Sequence, residues 1–196
     1  DVSFDELPTC LEPSNLTVAN VGSTTADLGW TQVGAATTWD IEVVPAGTTP
    51  TGTPTDAGVT TNPYNKTGLN PFTNYEFYVR ADCGGGDLSN WSGPFAFTTE
   101  CAAIVTPWLD DVEAHTPTTT LGDSNCWSTA SVGAYDWNID GSGSTPSLNT
   151  GPSGAFSGNN YFYTEASSGG AGDAAELYTP LLDLSAVNAP ALRFYY

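Results

Sequence analysis

The sequence predicts an all-β protein built from small sandwiches, and three observations carry that reading. Residues 75–82 alternate without a break: Tyr75, Phe77, Val79 and Ala81 fall on one face, Glu76, Tyr78, Arg80 and Asp82 on the other. That period of two marks a half-buried antiparallel strand. Just upstream, Leu69-Asn70-Pro71 turns the chain, and Tyr75 stands where a corner tyrosine would hydrogen-bond back to the turn. The third observation is composition: 21 glycines and 14 prolines in 196 residues, with abundant threonine, favour short strands and many turns over helices.

The other elements follow in order. Residues 1–6 read as the end of a strand, and Leu7-Pro8-Thr9-Cys10 starts a new unit. Leu16 and Val18 share a face; Ala26, Leu28 and Trp30 alternate with Asp27 and Gly29; Trp39, Ile41 and Val43 alternate with Asp40 and Glu42, until Pro45 and Gly47 end that run. Residues 46–58 are a loop by composition, and a weak strand is expected over 59–67. Gly84-Gly85-Gly86 forms a flexible turn after the central strand. Phe95 and Phe97 then alternate in a last strand ending at Thr98-Thr99. A second unit begins after Cys101.

Charge narrows the partners. Three basic residues against 22 acidic ones give a net charge of −19, which repels nucleic acid and anionic membranes and leaves cations as the natural small partners. No apolar run approaches membrane-spanning length. The four cysteines allow three pairings and include no Cys-x-x-Cys pair, so an exported, disulfide-bonded chain at the cell surface or outside the cell is expected.

Catalysis has little material. His115 is the only histidine, it sits in an expected loop beside Thr116-Pro117, and no carboxylate pair is singled out by its surroundings. The chain therefore reads as a non-enzyme. Asp110, Asp111 and Glu113 are a stronger signal. On a strand Asp111 and Glu113 would face the same way, and hard carboxylate oxygens gathered there suit calcium. Asp140, Glu165 and Asp173 are candidates to complete the shell. Tyr161 and Tyr163 share a face opposite Phe162 and form a candidate sugar-stacking surface. Trp30, Trp39, Trp127 and Trp137 are expected to be core. Asn15, Asn65 and Asn90 each open an Asn-x-Ser/Thr triplet.

Two resemblances organise these readings. The tryptophan before Thr31, the aromatic Trp39, Leu69-x-Pro71-x-Thr73-x-Tyr75 and the closing Phe95-x-Phe97-Thr98-Thr99 resemble a fibronectin type III domain over residues 10–100. With Val79-Arg80-Ala81-Asp82-Cys83-Gly84, the unit is similar to copies in secreted proteins of Bacteroidetes-type bacteria. In that sandwich the first strand starts and the sixth ends at one pole, which implies a Cys10–Cys83 bond. The family's integrin-binding Arg-Gly-Asp is missing from Gly84–Ser89, so no integrin function is implied.

The second resemblance begins at Asp111-Val112-Glu113. With Cys126-Trp127, Thr150-Gly151-Pro152, Tyr161-Phe162-Tyr163 and the aromatic strand Leu192–Tyr196, it is similar to the first half of a MAM domain, an extracellular jelly roll. This implies a Cys101–Cys126 bond and, as in some members, a cation near the acidic motif. The expected organisation is a closing MAM-like strand at 1–6, a fibronectin type III domain at 7–100 and the N-terminal part of a jelly roll at 101–196. The implied function is a structural and adhesive segment of a secreted or surface array, binding protein or glycan ligands and neighbouring modules. The alternative is an accessory carbohydrate-binding region of a secreted hydrolase.

Overall fold

The computed structural model describes residues 10–117, 126–141, 154–165, 167 and 169–195. The chain forms two compact units, Asp1–Ala102 and Ala103–Tyr196. The described residues are all-β, and among them no helix is long and apolar enough to cross a membrane. The closing strand expected over residues 1–6 lies outside the described residues, as does Thr150-Gly151-Pro152.

Seven strands make the first unit: β1 (Ser14–Ala19), β2 (Thr25–Thr31), β3 (Thr38–Pro45), β4 (Asp56–Val59), β5 (Tyr64–Thr67), β6 (Asn74–Asp82) and β7 (Ser92–Thr98). They form a three-stranded sheet in the order β1-β2-β5 and a four-stranded sheet in the order β4-β3-β6-β7. The alternating apolar residues meet in the core. Leu28, Ile41, Phe77 and Val79 are fully buried, and Trp30 and Trp39 touch edge to face with ring centroids 5.3 Å apart. The corner tyrosine is present: the Asn70 backbone N–H donates to the Tyr75 hydroxyl at 3.0 Å.

Two expectations need correction here. Residues 46–58 are not loop throughout, and 59–67 is not one strand. Asp56–Val59 pairs with β3, Tyr64–Thr67 pairs with β2, and the chain crosses between sheets in the residues separating them. The polar face of β3 is covered as well, with Asp40 6% and Glu42 2% exposed. The 51–58 segment lies over it: Glu42 accepts hydrogen bonds from the Thr51 and Gly52 backbone N–H groups at 2.6 and 2.9 Å, and Gly58 N–H donates to Asp40 at 3.1 Å.

Cys10, just before β1, is bonded to Cys83, just after β6, with Cα atoms 5.8 Å apart. Cys101 and Cys126 are disulfide-bonded as well, and no cysteine is free.

The second unit is assembled from shorter pieces: β8 (Ile104–Val105), β9 (Ser128–Val132), β10 (Trp137–Asp140), β11 (Tyr161–Thr164), β12 (Ala174–Tyr178) and β13 (Leu182–Asp183). These pair as β9 with β12 and β10 with β11, both antiparallel, and β8 with β13, parallel. Its buried apolar residues among those described are few, Ile139 and Tyr161 being the large ones. Of the aromatic strand expected over Leu192–Tyr196, the described residues 192–195 belong to no strand, and Leu192, Phe194 and Tyr195 are exposed.

Candidate functional site

The acidic motif of the second unit is a turn and not a strand, which corrects the same-face reading of Asp111 and Glu113. Val112 takes φ +68° and the His115 N–H donates to the Val112 carbonyl at 3.2 Å, so the chain reverses here. Two local rings support the reversal: Val112 N–H donates to Asp110 Oδ1 at 2.7 Å and Glu113 N–H to Asp111 Oδ1 at 3.1 Å.

Asp110 is the hub. Its Oδ2 accepts from Trp127 Nε1 at 2.7 Å and lies 3.0 Å from His115 Nε2. Burial works against ionisation of Asp110, but the hydrogen bonds from His115, Trp127 and Val112 outweigh it and hold the carboxyl below its ordinary range. His115 is 4% exposed, with its ring against Trp127 and Phe162 at 6.4 and 5.6 Å. The lone histidine, expected in a loop, is thus a buried packing residue of the turn.

The other predicted ligands are dispersed. Glu113 accepts from the Asn159 and Asn160 backbone N–H groups at 2.8 and 2.7 Å. Asp140 accepts from the Tyr161 hydroxyl at 3.0 Å, Glu165 from the Ser167 N–H at 3.0 Å, and Asp173 from the Gly170 and Ala134 N–H groups at 2.9 and 3.1 Å. Glu165 ties its own loop, whereas Asp140 bonds across to β11 and Glu113 and Asp173 hold segments distant in sequence. Among the described residues, the one grouping of three metal-capable side chains within 4.8 Å is Cys10, Cys83 and Asp87, whose sulfurs are consumed by the disulfide. No three of the six predicted carboxylates bring oxygens within 4.8 Å of one another.

The tyrosine face differs from expectation as well. Tyr161 is 9% exposed, its ring 6.2 Å from that of Tyr163, and burial together with the Asp140 hydrogen bond pushes its hydroxyl up to about 12. Tyr161 is thus a buried residue, and Tyr163 beside it is half-buried. Phe162, on the opposite face, packs 4.9 Å from Trp127.

One constellation that the sequence reading missed sits on the outer face of β3 and β6. Arg80 donates through Nε and Nη2 to Asp40 Oδ2 at 3.0 and 2.9 Å, and its guanidinium carbon lies 4.6 Å from the centre of the Trp91 ring. Asp40 and Arg80 are directly opposed in the β3–β6 register. Both were legible as polar-face residues; their register is a long-range fact that no local pattern encodes. The arrangement neutralises one of the chain's few cations and covers an acidic strand.

Comparison with known proteins adds a family assignment for one unit. Residues 11–98 match the family model of the fibronectin type III domain. No curated protein matches the chain. Among solved structures, the fibronectin type III domain of human fibronectin type III domain containing protein 3 is 23% identical, covering 52% of this chain and 94% of that one, with a TM-score of 0.39. The FN5 domain of Drosophila Lar is 21% identical over 46% of this chain and 96% of its own, TM-score 0.36. A two-domain fibronectin type III segment from chicken tenascin is 15% identical over 87% and 85%, TM-score 0.37. At such scores these likenesses carry no weight beyond the family match. That match covers less than half of the chain, so the assignment belongs to the unit: residues 11–98 form a fibronectin type III domain.

Proposed function

We propose that this chain is a non-catalytic structural and adhesive segment of a modular secreted or cell-surface protein. The fibronectin type III domain spaces its neighbours, and the second unit, a jelly roll of MAM type, presents a face to protein or glycan ligands. The observation behind this reading is that the first unit is a closed, disulfide-clasped sandwich whose polar outer residues are spent on one another. Glu42 holds the 51–52 backbone, and Asp40 holds Arg80. Such a unit transmits position and force and leaves its loops to make contacts. All four cysteines are disulfide-bonded, which suits an oxidising, extracellular setting.

Competition tests this. Soluble chain added to cells that carry the parent protein should reduce their attachment to a surface, and deleting residues 10–195 from the parent should reduce it likewise. Unchanged attachment in both assays would remove the adhesive role. Dose-dependent binding of the chain to one glycan class on an array would replace it with the carbohydrate-binding alternative.

A further inference from the structure

We infer that the Cys10–Cys83 bond makes the first unit a tension stop: a pull along the chain extends only residues 84–98 and leaves everything between the two cysteines folded. This rests on the proposed role as a segment carrying force between a surface and a ligand. The bond closes a loop of sequence separation 73 that contains β1 to β6, six of the unit's seven strands. Tension entering at Cys10 crosses the covalent bond to Cys83 and leaves through the 84–91 turn and β7. The strands inside the loop lie off that path.

What does lie on the path is built to resist. β7 is an edge strand whose partner is β6. Ser92 pairs near the Cys83 end of β6, opposite Val79, while Thr98 pairs at the far end, opposite Asn74. A pull on Thr98 against an anchored Cys83 therefore runs along the strand axis, so the ladder is loaded as a set and not opened rung by rung. Two aromatic pairs cross the same interface, Phe97 on Tyr75 at 5.8 Å and Phe95 by Phe77 at 5.9 Å. The exit point is tied down too: Thr99 Oγ1 donates to the Asn70 carbonyl at 2.7 Å, and Phe72 N–H donates to the Glu100 carbonyl at 3.0 Å. Once these contacts yield, the slack released is fifteen residues, about 50 Å of extended chain.

Single-molecule stretching of the full oxidised chain, held at its two ends, tests the stop against the Cys10→Ser/Cys83→Ser variant. At up to about 3.5 Å per residue, the bypassed sequence separation of 73 predicts a total extension about 250 Å greater in the variant. Should the variant fail to fold, the oxidised wild-type chain is opened at constant force and a thiol reductant added, and a further step of about 250 Å is expected. Equal extension in the two chains, or no such step on reduction, overturns the inference. The readout needs no ligand, so a stop that works in a chain without effect on attachment would remove the adhesive role alone.

Discussion

Trp30 and Trp39 share one core, yet their indole N–H groups meet different fates. Trp39 Nε1 donates to Gln32 Oε1 at 2.6 Å, whereas the buried Trp30 Nε1 has no acceptor among the described residues. An orphaned buried donor is a standing cost, and removing it offsets part of the packing lost with the larger ring. Trp39→Phe should therefore destabilise the first unit by about 1 kcal/mol more than Trp30→Phe in denaturant titrations, the worth of one hydrogen bond. Equal losses would mean that Trp30 is satisfied. Asp110 makes a second residue-scale prediction. A carboxyl held below its ordinary value contributes stability that is complete above the unfolded value, about pH 4, and is lost as pH falls through the folded one. The melting temperature of the second unit should drop below about pH 4. Asp110→Asn should melt lower at neutral pH and show a shallower acid decline. An unchanged acid decline in that variant would take Asp110 out of the account.

At the scale of elements, calcium is the sharpest question. Asp110 takes hydrogen bonds on both oxygens, from Val112 and from Trp127, and Glu113 takes two backbone N–H groups on Oε1, so both carboxylates already have protein partners. Millimolar calcium should therefore leave the melting temperature of the second unit unchanged, because a ligand raises it only by binding the folded state. A rise that Asp111→Asn abolished would restore the calcium reading. The same elements show what the sequence could and could not reveal. β2, β3, β6 and β7 were legible because each turns one apolar face to the core, and that writes a period of two into the residues. β4 and β5 were blurred into a loop and one weak strand because four-residue strands such as Asp56–Val59 and Tyr64–Thr67 carry too few residues for a period. Their place is set by pairing with β3 and β2. The acidic turn escaped for a related reason: two carboxylates two apart fit a strand face, and the reversal lies in the Val112–His115 backbone, held by Asp110's bond to Trp127 seventeen residues away. The Tyr161–Tyr163 face was read correctly as one side of a strand. Whether that side lies open depends on what packs over it, and Asp140 and the neighbouring ring close it.

At the scale of the whole molecule, the two units differ in how their apolar residues are spent. The first buries its aromatic and aliphatic side chains in one cluster and clasps that cluster with a disulfide. The second, among its described residues, keeps Phe156 and Tyr195 stacked but exposed, and leaves Leu109, Leu181 and Leu192 facing outward. A net charge of −19 adds self-repulsion that both units must overcome. The first unit, with its own core and clasp, is therefore expected to fold by itself. Closing a loop of separation 73 is worth about 4 kcal/mol in the chain-entropy model. For a domain of this size that corresponds to a melting shift of about 15 °C or more. Calorimetry of residues 10–100 produced alone is the most direct test. A single cooperative transition is predicted, within a few degrees of the same unit's transition in the full chain, and about 15 °C lower after reduction. A broad, uncooperative melt, or a transition that reduction does not move, would contradict the claim.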